Sequence, residues 1–247
     1  MNNHNKVFYL LVNKSIANIF IILIFDIIMI HPEFIDKDLF EEANKYLVEG
    51  SFEKAIQLYE KYINQNNTSD KLKNIGMAYH NMGVSYDNLR KYDLAIECFI
   101  KALDYHKKID NFRGMSWEYF SIGLIFGQLN KFQEMLDYGK KAIDFGTKAK
   151  DNEILLKSYN LLAHAYNELK DYSESLKYLS TALEIAFILN DSFYLSETYY
   201  IRGISLENLN KRTEAIESYS LAIDYGAKSG NERIVALAFS KISEYQS

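Results

Sequence analysis

The side chains able to do chemistry in this chain are few and scattered. Five histidines, one cysteine and dispersed carboxylates make up the inventory. Cys98 stands alone, so it can form neither an internal disulfide nor a thiolate metal cage, and it reads as a packed residue. His80, His106 and His164 read as separate, partly exposed polar side chains, and His80 and His164 are too far apart to share a metal ion. The glycines are spread along the chain instead of clustering into a phosphate-cradling loop, and no nucleophile stands beside a base. Glu118, Glu168, Glu207 and Asp87 read as ordinary surface carboxylates. The pattern points away from catalysis and calls for no metal or cofactor.

A second set of residues has the chemistry of recognition. Asn81, Asn160, Asn167 and Gln128 carry amides, which donate and accept at once and so can match a peptide backbone. Trp117, Phe120 and Tyr200 can bury apolar anchors, with His80, His164 and Lys157 adding polar and cationic groups. A formal net charge of −5 argues against a nucleic-acid partner, which needs a clustered basic face. Lys140, Lys141, Lys148 and Lys150 read as the solvated side of a helix.

The elements that must position these residues repeat. Stepping by forty turns Tyr79 into Tyr119, Tyr159 and Tyr199, Leu89 into Leu129, Leu169 and Leu209, and Ala102 into Ala142, Ala182 and Ala222. Such a fixed period is the mark of a solenoid. A weaker first copy precedes these, with Ala55 in the place of Ala95 and Tyr59 in that of Phe99. Each unit divides into two helical stripes. In one, Leu72, Ile75, Tyr79, Met82, Gly83 and Tyr86 fall three or four residues apart; in the other, Leu94, Ala95, Ile96, Phe99, Ala102 and Leu103 form the apolar side. Short polar residues at Asn111, Asp151, Asp191 and Asn231 are placed to cap the helices that follow.

Gly83, Gly123, Ala163 and Gly203 lie within first helices, where a glycine costs about 1 kcal/mol against alanine, so close approach of a second helix is expected there. Small at that position, a large residue three later, alanine twelve on and alanine seven after that resembles the tetratricopeptide repeat. Gly83, Tyr86, Ala95 and Ala102 carry the pattern, with Gly123, Phe126 and Ala142, Ala163, Tyr166 and Ala182, and Gly203, Ala215 and Ala222. The long unit and near absence of proline resemble the branch found in Rap-type peptide-responsive regulators and spindle-orientation scaffolds. Met135 and Ser175 replace the expected alanine and Gly139 the expected aromatic, which predicts that the third repeat is the loosest.

The resemblance implies an all-α, right-handed superhelical solenoid of about five helix-turn-helix repeats. They fall at about 36–69, 70–111, 112–151, 152–191 and 192–231, closed by a capping helix at 232–245. In that helix Ile234, Leu237, Ala238 and Ile242 form the apolar stripe, with Arg233 off it. The polar run Asn64 to Asp70 reads as a helix end with Ser69 or Asp70 as cap, or as a hinge.

The resemblance further implies a binding groove formed by first helices. Its inward positions are His80, Asn81, Val84 and Asp87, then Trp117, Phe120, Leu124 and Gln128, then Lys157, Asn160, His164 and Asn167, then Glu197, Tyr200, Ile204 and Glu207. Asn81 matches the place from which peptide-binding members touch a ligand backbone, but Ser121, Leu161 and Ile201 break the series. The basic clamp that holds a C-terminal carboxylate in chaperone adaptors is not recognisable. The expected role is a non-catalytic adaptor for another protein or a peptide.

Residues 1–35 stand outside the repeat. The run from Ile16 to Ile30 is apolar except for Asn18 and Asp26. Three readings fit it: a membrane anchor with Lys6 and Lys14 ahead of it, residues upstream of a true start at Met29, or a helix covering the open end of the first repeat. The first makes the protein a membrane-tethered scaffold, the others leave it cytoplasmic. A peptide-responsive regulatory module is the remaining alternative, and oligomeric state is left open.

Overall fold

Turns set the architecture, at intervals of twenty residues from Arg90 onward. Left-handed backbone occurs at Gly50, Arg90, Asp110, Asn130, Lys150, Lys170, Asn190, Asn210 and Gly230. At Asn130 the chain closes by donating the Lys131 amide back to the Phe126 carbonyl at 2.8 Å, and the same closure joins Lys91 to Tyr86 and Asp171 to Tyr166. Helix after helix therefore stops at the same length. The computed structural model describes residues 32–66 and 68–245. Among them there is no strand, and the packing forms two compact units divided between Lys71 and Leu72.

The first unit holds α1 (Pro32–Val48) and α2 (Phe52–Gln65), followed by a 3-10 turn, Ser69–Lys71. Ala43, Ala55 and Tyr59 are fully buried between the two helices, and the Phe40 ring meets Tyr59 edge-on at 5.7 Å. Ser69 and Asp70 lie inside the 3-10 turn, which corrects their expected role as a helix cap. The apolar run 16–30, with its three readings, lies outside the described residues. Among the described residues no helix is long and apolar enough to cross a membrane.

The second unit is a solenoid of helix pairs: α3 (Leu72–Asn88) with α4 (Tyr92–Lys108), α5 (Phe112–Gln128) with α6 (Phe132–Ala149), α7 (Asn152–Glu168) with α8 (Tyr172–Leu189), and α9 (Ser192–Asn208) with α10 (Arg212–Ser229). A last helix, α11 (Glu232–Glu244), packs on α10. The Asx residues cap as their chemistry requires. Asn111 accepts from the Gly114 amide, Asp151 from Glu153 and Ile154, Asp191 from Phe193 and Tyr194, and Asn231 from Ile234.

The small residues work by close approach. A Cβ on Gly83 would lie 2.6 Å from the Phe99 ring, and one on Gly203 would lie 2.4 Å from the Tyr219 ring. Ala102, Ala142, Ala182 and Ala222 are fully buried where successive pairs dock. The third repeat solves its missing aromatic differently. Gly139 leaves room that Leu162 of the next repeat enters, close enough that a Cβ there would meet it at 2.6 Å, and Met135, Leu136, Leu161 and Leu162 form a buried cluster. The space expected to loosen this repeat is thus filled from α7. In α11, Ile234 and Ala238 are buried, whereas Leu237 is 38% exposed and leaves the expected stripe.

Candidate binding groove

First helices place the groove. Residues three and four apart on α5, α7, α9 and α11 face a common cleft of about 660 Å³. Its floor is apolar, made by Phe120 and Leu124 on α5, Leu161 on α7, Ile201 and Ile204 on α9 and Ile234 on α11. Six of the ten residues expected to bind line it: Phe120, Gln128, Lys157, Asn160, His164 and Tyr200. The other inward positions reaching it are Leu124, Glu197 and Ile204.

Charge lies on the rim, in pairs. Lys157 Nζ is 3.3 Å from Glu153 Oε1 and sits over the rings of Trp117, at 4.6 Å, and Tyr194, at 5.5 Å. Burial works against its charge, but Tyr194 and Glu153 outweigh burial and its pKa rises. Tyr194 Oη in turn donates to Glu153 Oε1 at 3.2 Å. Arg233 reaches from α11 to Glu197, 3.6 Å away. Burial pushes the Glu197 carboxyl up even with Arg233 and Lys157 near it. His164, half-exposed, lies 3.9 Å from Glu168. Lys157 and Arg233 therefore each face a carboxylate of their own, and the cleft offers apolar contact more than a trap for anions.

Four expected residues do not line the cleft. Trp117 stands beside it, edge-on to Phe120 at 5.9 Å and beneath Lys157. Asn81 is half-buried on α3, where its backbone carbonyl accepts the Ser85 hydroxyl. Asn167 turns into the core, accepting from Ser205 Oγ at 2.8 Å and donating to the Ile201 carbonyl at 3.5 Å, so its place in the groove is corrected. His80 is drawn into a polar cluster. Asn160 does line the cleft, but its amide is shared with buried Thr198 at 2.9 and 3.1 Å. Gln128 donates to Asp87 at 3.2 Å, tying α5 to α3. Sequence reasoning passed over Tyr194 and met Leu161 and Ile201 only as breaks in the Asn81 series, although Tyr194, Glu197, Ile201 and Ile204 share one spacing of three and four. Arg233 was set aside as an outward residue.

The cluster around His80 was also missed. Glu118 on α5 is 1% exposed, and both its oxygens lie 3.0 Å from His80 Nδ1 on α3. His106 Nε2 on α4 is 3.3 Å from Glu118 Oε1, and Asn111 Nδ2 is 3.1 Å from His106 Nδ1. His106 is only 3% exposed, which corrects its reading as a surface side chain, and Glu118 is no surface carboxylate. Two glycines clear its space: a Cβ on Gly76 would meet His106 at 3.0 Å and one on Gly114 at 2.6 Å. Among the described residues no group of three or more His, Cys, Asp or Glu is placed to hold a metal ion.

Tetratricopeptide-repeat family models match residues 72–108, 156–187 and 196–225. No curated protein matches. Among solved structures, the chain is similar to the nearly identical TPR-like repeats of a putative kinesin light chain from Podosopora anserina. They are 16% identical, with 78% of this chain and 95% of that one covered and a TM-score of 0.61. It is similar to aspartyl phosphate phosphatase F from Bacillus subtilis at 17% identity and a TM-score of 0.67, with 86% of this chain covered and 60% of that one. The apo form of RapI is 15% identical with a TM-score of 0.64, covering 85% of this chain and 84% of that one. At these identities the likeness is one of fold.

Proposed function

We propose, from the premise that this chain is a tetratricopeptide-like repeat protein, that it is a non-catalytic adaptor holding a peptide segment of a partner protein in the cleft of α5, α7, α9 and α11. One observation carries the reading: the continuous apolar floor running from Phe120 and Leu124 through Leu161 to Ile201 and Ile204, open to solvent and rimmed by paired charges. Such a surface suits a segment that buries apolar side chains and leaves its polar groups at the edge. Tyr200 and Gln128 can meet a bound backbone from the sides, and Asn160 has part of its amide left beyond Thr198.

The test uses the full chain to select binders from a displayed random-peptide library, then compares charge insertions on and off the floor. Leu124→Arg and Ile204→Arg place a cation on the floor; Ile100→Arg places one on α4, at a site 45% exposed. A groove binder loses at least about tenfold in affinity with either floor variant and nothing with the α4 variant. Equal affinity for all three, with unchanged helicity, removes the groove reading.

A further inference from the structure

We infer that His80, Glu118 and His106 form a proton-binding site whose occupancy sets how firmly α5 is held on the second repeat. This stands apart from the groove reading, since it needs no partner. The site spans three helices: His80 on α3, His106 on α4 and Glu118 on α5.

Hydrogen-bond chemistry assigns the protons. Asn111 Nδ2 can only donate, so His106 Nδ1 accepts and the His106 ring is neutral, with its proton on Nε2 directed at Glu118. Asn111 also caps α5 through its Oδ1, which accepts from the Gly114 amide at 3.1 Å. His80 is the member that takes up the proton. Its Nδ1 bridges both Glu118 oxygens, and the ring's remaining exposure lets protons exchange with water. One proton on His80 neutralises one buried carboxylate.

The surroundings supply little other charge. Glu118 faces His80 from α3 and His106 from α4; His80 faces Glu118 with the Phe99 ring of α4 at 5.5 Å; His106 faces Glu118 and the neutral Asn111. From α6, the neighbouring polar contact on α5 is neutral, Ser116 Oγ to the Ala142 carbonyl at 2.6 Å. Burial opposes the charge on His80, but the field and hydrogen bonds of Glu118 outweigh it, and the His80 pKa rises above the ordinary 6.5. A raised folded-state pKa means the added stability is complete below pH 6.5 and is lost as pH rises through the folded value. Above that value Glu118 is left as a buried anion with neutral donors, the costlier state.

A neutral pair would serve if the junction were only structural. Elsewhere in the second unit Ala78, Ser158, Thr198 and Ala238 stand at the position of Glu118, and Thr198 bridges to Asn160 without charge.

The experiment is a histidine NMR titration of the full chain, with amide hydrogen exchange of residues 117–121 at pH 6 and pH 8, corrected for intrinsic rates. In the wild type, the His80 ring, assigned by loss of its signal in His80→Gln, titrates above 6.5, and in Glu118→Gln it titrates below 6.5. Protection of the α5 amides around Glu118 falls about fivefold from pH 6 to pH 8 in the wild type. His80→Gln keeps a hydrogen-bond donor without the titration, so its protection stays constant across the same range, and this arm stands even if Glu118→Gln fails to fold. A wild-type midpoint at or below 6.5, or the same fall in protection in His80→Gln, overturns the inference.

Discussion

The junction between the second and third repeats and the one between the fourth and fifth are built on the same offset and from opposite chemistry. His80 meets Glu118, and Asn160 meets Thr198, thirty-eight residues on in each case. At the first junction the bridge is an imidazole and a buried carboxylate, reinforced by His106. At the second it is amide to hydroxyl, repeated one helical stretch later by Asn167 and Ser205, with Ser175 joining at 3.0 Å. Between them the corresponding positions are Phe120 and Ser158, and the Ser158 hydroxyl is buried without a partner among the described residues. There Leu161 and Leu162 hold the repeats together by packing. One backbone geometry thus accepts ionic, apolar and neutral polar junctions, and what differs is how each responds to conditions.

The largest effect expected is at the ionic junction. Glu118→Ala leaves the His80 and His106 donors without their acceptor and should cost about 3–5 kcal/mol in urea unfolding, read by the fluorescence of Trp117, the single tryptophan and the preceding residue. A loss no larger than that of Thr198→Val would erase the distinction between the junctions. Leu162→Ala, emptying the space beside Gly139, should cost about 2–4 kcal/mol, and xenon or benzene should recover part of it if the cavity stays open. The stability difference between wild type and His80→Gln should be greatest below pH 6.5 and shrink as pH climbs through the raised His80 pKa. Thr198→Val should cost about 1 kcal/mol at every pH between 6 and 8. A pH slope in that variant would show that the neutral junction is coupled to the ionic one. Ser158→Ala should be neutral or stabilise by up to about 1 kcal/mol, because the hydroxyl removed has no bond to lose.

Much of this was legible because a repeat declares itself locally. The forty-residue step, the two stripes, the capping Asx residues and the small residue facing Phe99 or Tyr219 all follow from short-range pattern. The junction chemistry was hidden because its partners lie thirty-eight residues apart and no single stretch contains both. Glu118 carried a signal nonetheless: within the second unit it alone brings charge to a position filled there by Ala78, Ser158, Thr198 and Ala238. Asn167 was misplaced for the same reason, since its inward turn depends on Ser205. Phe120, Lys157 and Tyr200, placed inward by the family resemblance, line the cleft because residues three and four apart share a helical face. Arg233 was not so placed, because the closing helix lacks a second stripe against which to orient it.

The twenty-residue rhythm of the turns has a consequence for how such an array can be edited. Excising residues 112–151 would leave every remaining helix the same length and bring Ser158 opposite His80; excising 152–191 would bring Thr198 opposite Phe120. The frame survives either deletion, but the matched pairs do not. These units are therefore not interchangeable beads: each carries half of a lock whose key lies only in its native neighbour, and the order of the repeats is itself encoded.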